Sequence, residues 1–431
     1  MKPDVAVIGG GYAGLACAVA LARSERVRVT VFESGRVLGG RARVVTRHDP
    51  PVDNGQHILI GAYTQLLQTM RQVGVSPKLL ETLPLTIAYP DGFELRAARL
   101  PAPLHLAVGL ARARGLAWSD RLAAAQLIRR LRRRHWQVSP DRPVAEVLDD
   151  LGQTPTLRAR LWEPLCVAAL NTPASEASAQ VFANVLRDSL AAGSAASELL
   201  IPRVDLSELF PVPATRWLGR RGHDVRTSDA IRAIRVEDGV FWLDGGPSWV
   251  GYEQVVVATA PYHAAPLLEP FAALAGVRES IEALDHQPIT TVYLRYENSP
   301  LSGPPMVGLV DGPAQWLFDR GRLGGPRGLL AAVVSARSRY DELPHEALEL
   351  AVRRQLERAF ERLPMPTWIR SIAERRATFS CRPGIARPDN RTPLAGLWLA
   401  GDYTRGPYPA TLEGAVRSGL AAARGVLASL D

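Results

Sequence analysis

Val5-Ala6-Val7-Ile8-Gly9-Gly10-Gly11-Tyr12-Ala13-Gly14, followed after an Ala-rich stretch by Val27-Arg28-Val29-Thr30-Val31-Phe32-Glu33, decides the fold. Val5–Ile8 is a continuous apolar run, as expected of a strand covered on both faces of a parallel sheet. Gly9, Gly11 and Gly14 form G-x-G-x-x-G, Leu15 to about Arg23 has a helical texture, and Val27–Phe32 reads as a second strand ending at Glu33. The three segments predict a βαβ unit. Between strand and helix, glycines permit a tight turn and close backbone approach to a pyrophosphate. The helix N-terminus offers that anion unpaired N–H groups. A glycine-rich turn without ligand is the alternative. Glu33 speaks against it, because a carboxylate there accepts hydrogen bonds from an adenosine ribose and repels the 2′-phosphate of NADP.

Working outward, Pro84 to about Pro213 changes to Pro-punctuated helices rich in Leu, Ala and Arg. Strand-like segments return at Ala230–Val236, Val240–Leu243 (after a turn at Glu237-Asp238-Gly239) and Gln254–Ala258. Pro288–Tyr296, Met306–Val310 and Leu329–Ser335 read as a second sheet, and His345–Arg362 as an amphipathic helix. Leu394–Ala400 is a last apolar strand, and Thr411 to Ser429 a last helix. The expected class is α/β. A Rossmann-type dinucleotide-binding domain (1–80, 215–285 and 380–431) is interleaved with a substrate domain of mixed sheet and helices (81–214 and 286–379).

The 431 residues allow two or three structural units, and 47% hydrophobic with 22% charged residues is a globular composition. Cys17, Cys166 and Cys381 stand in no metal or redox spacing, so neither a zinc site nor a disulfide framework is expected, and no metal is assigned. The longest apolar runs, such as Leu15–Ala22, are too short to span a bilayer, and no signal peptide fits before Val5. A cytoplasmic, reducing location is the expectation. Of 51 basic residues only Lys2 and Lys78 are lysines, which excludes any mechanism needing a lysine in the middle or C-terminal half.

Two features select FAD over NAD. Leu38-Gly39-Gly40-Arg41 follows Glu33, and Arg41 and Arg43 add positive charge near the phosphates. Leu397–Ala400 leads to Gly401-Asp402, where Asp402 can bond a ribityl or phosphate group; an ordinary turn acid is the alternative. The N-terminus of the helix starting near Thr411 would face negative charge on a reduced flavin.

The Gly9–Glu33 unit, Gly39-Gly40-Arg41 and Ala400-Gly401-Asp402 resemble the flavoprotein group of amine oxidases, protoporphyrinogen oxidase and phytoene desaturases. The more particular segments are Asp53-Asn54-Gly55-Gln56-His57, Leu161–Cys166, Leu170-Asn171-Thr172-Pro173 and Tyr408–Gly414. With these, the whole chain resembles the hydroxysqualene dehydroxylases of bacterial hopanoid pathways. The resemblance implies FAD, with Ile231 touching the adenine, Val257–Pro261 lining the cofactor, and Thr411-Leu412 beside the flavin; the sequence holds no recognisable attachment motif, so the cofactor is expected to be non-covalent. It implies reductive removal of the hydroxyl of hydroxysqualene to give squalene. A polyene desaturase working in the opposite sense, or a non-catalytic flavin-containing lipid-binding protein, are the alternatives. Amine oxidation is disfavoured, since the usual lysine near the flavin is missing.

Loss of an allylic hydroxyl needs an acid, an apolar channel and exclusion of water. Asp53 and His57 are the candidate acid or its positioning partner; shaping of the FAD loop is the alternative. Gly321–Gly328 reads as a hairpin loop and not a second nucleotide site, so an external, unidentified donor must reduce the flavin. Leu100–Trp136 ends in Arg129-Arg130-Leu131-Arg132-Arg133-Arg134. This stretch reads as a basic amphipathic surface for peripheral membrane contact or as a solvated helix face; nothing else in the chain supports nucleic-acid binding.

Overall fold

The computed structural model describes residues 2–46, 50–245, 248–361 and 363–431. Strand β1 (Asp4–Ile8), helix α1 (Tyr12–Arg23) and strand β2 (Arg28–Glu33) form the opening unit, with β1 and β2 parallel from Asp4/Arg28 to Ile8/Phe32. The helix starts at Tyr12, earlier than its apolar stretch suggests, because the extended Gly11 is its N-cap.

Further along, after short strands and a helix at Thr64–Gln72, come the hairpin β3 (Thr86–Ala88) and β4 (Glu94–Arg96) and the helices α2 (Leu104–Ala111), α3 (Trp118–Arg133) and α4 (Glu163–Leu170) of the Pro-punctuated section. On α3 the buried residues Asp120, Ala124, Leu127 and Leu131 recur at helical spacing.

Strands β5 (Asp224–Thr227) and β6 (Gln254–Val257) bring the chain back to the first sheet. Between them Ala233–Glu237 and Val240–Asp244 pair antiparallel across Asp238 (φ +50°) and Gly239 (φ +77°), the left-handed pair a two-residue hairpin requires. Strands β7 (His286–Arg295), β8 (Met306–Gly308), β9 (Trp316–Asp319), β10 (Leu329–Ser335) and β11 (Trp368–Phe379) form an antiparallel sheet in the order β8-β9-β10-β7-β11. Residues 321–328 connect β9 to its antiparallel partner β10, as a loop and not a nucleotide motif. Helix α5 (His345–Ala359) packs on this sheet; Arg362, the end of the expected helix, lies outside the described residues. Strand β12 (Leu397–Leu399) and helix α6 (Leu412–Ala428) close the chain.

The first sheet has the order β5-β2-β1-β6-β12, every neighbour parallel. The central strands β1 and β6 and the edge strand β12 are buried on both faces, which explains their apolar runs. Among the described residues, no helix is long and apolar enough to cross a membrane.

Helix α1 is clamped between this sheet and α6. Gly419 of α6 lies so close that a Cβ there would stand 2.1 Å from the Ala13 carbonyl oxygen. Gly419→Ala must therefore push the two helices apart, at a cost of about 1–3 kcal/mol for overpacking. A lowered Tm together with reduced retention of cofactor checks this.

Candidate active site

One cavity of about 980 Å³ lies between the two sheets. Its first end is the turn after β1. Gly9 adopts φ +119°, and a Cβ on Gly14 would stand 2.0 Å from the Gly9 carbonyl oxygen, so only glycine lets α1 start this close to the strand. Gly9 and Gly11 line the cavity; Gly14 does not, which makes it a packing residue and not the direct contact expected of it. No side chain caps α1, and its N-terminal N–H groups are left for a ligand.

Glu33 lines the cavity at the end of β2. Its Oε2 accepts the Gly10 N–H at 2.8 Å and its Oε1 the Gly35 N–H at 2.7 Å. Two such bonds hold the carboxylate in place and leave lone pairs for a ribose. Ile231 also lines the cavity, just before the Ala233–Glu237 strand, as do Ala258, Thr259 and Ala260 after β6.

Arg41 and Asp402, 361 residues apart, meet on the cavity wall. Arg41 Nη2 donates to Asp402 Oδ1 at 2.6 Å and Nη1 to the Ala377 carbonyl at 2.6 Å. The expectation placed each beside the cofactor independently; the structure joins them as an ion pair, with Gly40 lining the cavity beside them. Asp402 lines the cavity with only its Oδ1 engaged by Arg41. Thr411 and Leu412 line the cavity, but the expected α6 field is partly used within the protein. Thr411 Oγ1 accepts the Gly414 N–H, and the fully buried Glu413 sits in the first turn, bonded to the Gln65 and Leu66 N–H groups.

The pair Asp53 and His57 separates. His57 lines the cavity; Asp53 does not. Asp53 Oδ1 accepts the Leu206 N–H at 2.8 Å, and its main-chain oxygen accepts from the Tyr293 hydroxyl at 3.0 Å. The carboxyl is turned into the protein, which of the two expected roles, acid or positioning partner, leaves Asp53 the second. Burial pushes its pKa up to about 7. His57 Nδ1 lies 3.1 Å from the Gly55 carbonyl, which only accepts, so Nδ1 carries the proton of the neutral ring and Nε2 is bare. Burial, helped by the Arg41 charge, lowers its pKa from the ordinary 6.5.

Sequence reading missed two cavity carboxylates, Asp229 and, on β11, Glu374; the Oε2 of Glu374 accepts from Asn54 Nδ2 at 3.2 Å. No motif marks Glu374, since it reaches the site only through the second sheet. Cys166 is buried with Sγ 3.8 Å from the Thr172 carbonyl, and burial raises its thiol pKa, so it is no nucleophile. Among the described residues no cluster of three His, Cys, Asp or Glu could hold a metal.

The part of the cavity wall supplied by α4 and the second sheet is largely apolar, with Ala168, Ala169, Ile289, Met306, Phe318 and Val333 beside the polar Asn171, Ser335, Glu374 and Thr378. The residues present fit FAD. The uncapped turn suits a pyrophosphate, Glu33 a ribose, and two lining residues, Thr259 and Gln56, carry buried oxygens without a partner (Oγ1 and Oε1) that a ligand would satisfy.

A glycine-turn parallel sheet sharing one cavity with an antiparallel sheet defines a dinucleotide-dependent oxidoreductase. The sequence profile of the flavin containing amine oxidoreductase family matches residues 12–427, and the chain belongs to that family. It is an FAD-dependent oxidoreductase. It is 31% identical to a hydroxysqualene dehydroxylase of Rhodopseudomonas palustris, covering 100% of this chain and 99% of the relative. It is 24% identical to a zeta-carotene desaturase of Zea mays, covering 97% of this chain and 82% of that one. The structure of cyclohexylamine oxidase from Brevibacterium oxydans superposes with a TM-score of 0.74 over 100% of both chains at 20% identity, a likeness of fold.

Two outcomes test the geometry. Glu33→Ala removes a charge-assisted ribose bond of about 1.5–3 kcal/mol, so FAD titrations should show roughly 10–150-fold weaker binding. Asp53, with its folded pKa near 7 against an ordinary 3.8, binds its proton more tightly folded than unfolded. Its contribution is complete below about pH 4 and is lost as pH rises through 7. The Tm of Asp53→Asn relative to the native chain should therefore be higher at pH 8 than at pH 5.

Proposed function

We propose that this chain removes the hydroxyl of hydroxysqualene reductively, converting it with reduced FAD to squalene, water and oxidised FAD. The observation that carries the reading is the form of the cavity, a polar dinucleotide end continuous with a largely apolar chamber. Full-length similarity is higher to a hydroxysqualene dehydroxylase than to a carotene desaturase. Bound and reduced, FAD supplies the hydride that replaces the departing hydroxyl.

The protein's own part follows from its residues. Ala168, Ala169, Ile289, Met306, Phe318 and Val333 accept a polyprenyl chain and exclude water from the developing allylic cation. Gly9, Gly11, Gly40, Ile231, Thr411 and Leu412 hold the cofactor with Glu33, Arg41 and Asp402, while Gly14 keeps the turn closed. In its imidazolium form, protonated on Nε2 as well as Nδ1, His57 is the acid and gives the Nε2 proton to the leaving oxygen. Asp53 is a positioning residue, holding the loop that carries His57 through Leu206 and Tyr293. The cofactor domain is the part made of residues 1–80, 215–285 and 380–431, and the chamber belongs to 81–214 and 286–379. Electrons arrive from an external donor. The place of work is the cytoplasmic side of a membrane in which the substrate is dissolved.

The test is anaerobic mixing of the chemically reduced holoenzyme with hydroxysqualene, followed by flavin absorbance and product mass. Squalene formed one-for-one with flavin oxidation is expected; oxidised enzyme that instead adds a double bond to a polyene would replace this reading. Because the His57 pKa lies below 6.5, the imidazolium fraction falls tenfold per unit above it. The single-turnover rate should follow that slope from pH 7 to 9. His57→Ala should keep FAD, lose about 10²–10⁴-fold in rate and flatten the slope.

A further inference from the structure

We propose that the outer face of α2 and α3 is a docking surface for an anionic lipid bilayer. From Arg96 to Trp136 the chain has ten arginines and a single acid, Asp120, a net charge of +9 where the whole chain has +8. The one acid is turned inward: its Oδ2 accepts the Ala117 N–H at 2.8 Å and its Oδ1 the Thr154 hydroxyl at 2.7 Å. The outer face therefore presents no carboxylate of this stretch. Arg129, Arg130, Arg132, Arg133 and Arg134 are exposed, with no acidic partner within 4 Å among the described residues.

The same two helices also carry exposed apolar side chains. Trp118 is 70% exposed, Leu122 61% and Leu104 55%, and no large apolar side chain among the described residues is more exposed than Trp118. On α3, Trp118, Leu122, Arg129 and Arg133 fall on one side of the helix, opposite the buried Asp120, Ala124, Leu127 and Leu131. Arg121 fixes the two helices as one platform. It donates to the Leu110 carbonyl at 3.2 Å and the Ala113 carbonyl at 2.7 Å, while its guanidinium stacks 4.7 Å from the Trp118 ring centroid.

Charge decides what covers this face. Unpaired arginines around exposed Trp and Leu match a surface with anionic headgroups above hydrocarbon. A nucleic acid would match the arginines and leave Leu104 and Leu122 without a counterpart. The face also connects to the largely apolar part of the cavity. Gly109 of α2 lies against β4, where a Cβ would stand 2.6 Å from the Arg96 carbonyl oxygen, and Tyr89, beside β3, touches Gly308 of β8, the strand that carries Met306. Docking here holds the apolar chamber near the lipid; the docking itself does not depend on the proposed reaction.

The test is cosedimentation of the FAD holoenzyme with vesicles, without substrate. Vesicles of phosphatidylglycerol and phosphatidylcholine should bind at least tenfold more tightly than phosphatidylcholine alone, and 0.5 M salt should weaken that binding. The triple variant Leu104→Ser, Trp118→Ser, Leu122→Ser should lose more than tenfold in vesicle affinity at unchanged Tm and FAD content. Arg129→Gln, Arg132→Gln, Arg133→Gln should lose a similar factor. No preference for anionic vesicles, or variants that bind as the native chain does, would overturn the proposal. So would tighter binding of a DNA duplex than of the anionic vesicles.

Discussion

The contact between the first turn of α1 and the Gly9 carbonyl is the constraint on which the rest of this structure depends. A single Cβ at Gly14 would occupy the space of that oxygen, and one at Gly9 would lie 2.6 Å from the Ala258 carbonyl oxygen. Bare backbone on both sides lets α1 start directly above the ends of β1 and β6, so its N-terminus opens onto the cavity. Gly419 repeats the device on the other side of α1, where α6 approaches as closely. Three segments remote in sequence are brought together by the absence of side chains.

Around that turn the site is assembled by pairing distant charges. Arg41 reaches both Asp402 and the Ala377 carbonyl, which ties the segment after β2 to the strands β12 and β11. Buried ion pairs repay desolvation only with good geometry and further hydrogen bonds. Arg41 has both, and its value here is placement, since it fixes the seam where the cofactor end meets the chamber.

Desolvation sorts the remaining titratable groups. Asp53 is pushed towards neutrality, His57 is held neutral, and the three cysteines are buried and kept as thiols. A cavity of this kind contains few charges free to react with a developing cation. Of the carboxylates that line it, Glu33 and Glu374 are already bonded within the protein and Asp402 is paired with Arg41.

The βαβ unit, its glycines, Glu33 and the return of the chain at Leu397–Asp402 were legible in the sequence, because each rests on local rules: apolar runs, turn geometry and helix-end electrostatics. The strands β5, β9 and β11 were not. Asp224–Thr227 and Trp368–Phe379 are edge strands that carry charged residues, and their identity comes from the partner strand and not from their own pattern. The same limit applied to the site. Asp53 and His57 stand four residues apart and look equivalent in sequence, yet Asp53 turns in to Leu206 and His57 faces the cavity. Glu374, unmarked by any motif, enters because β11 pairs with β7. Local sequence determines what each segment can be, since it sets backbone conformation and burial preference. Which of those side chains line the cavity is decided only when strands hundreds of residues apart take their register.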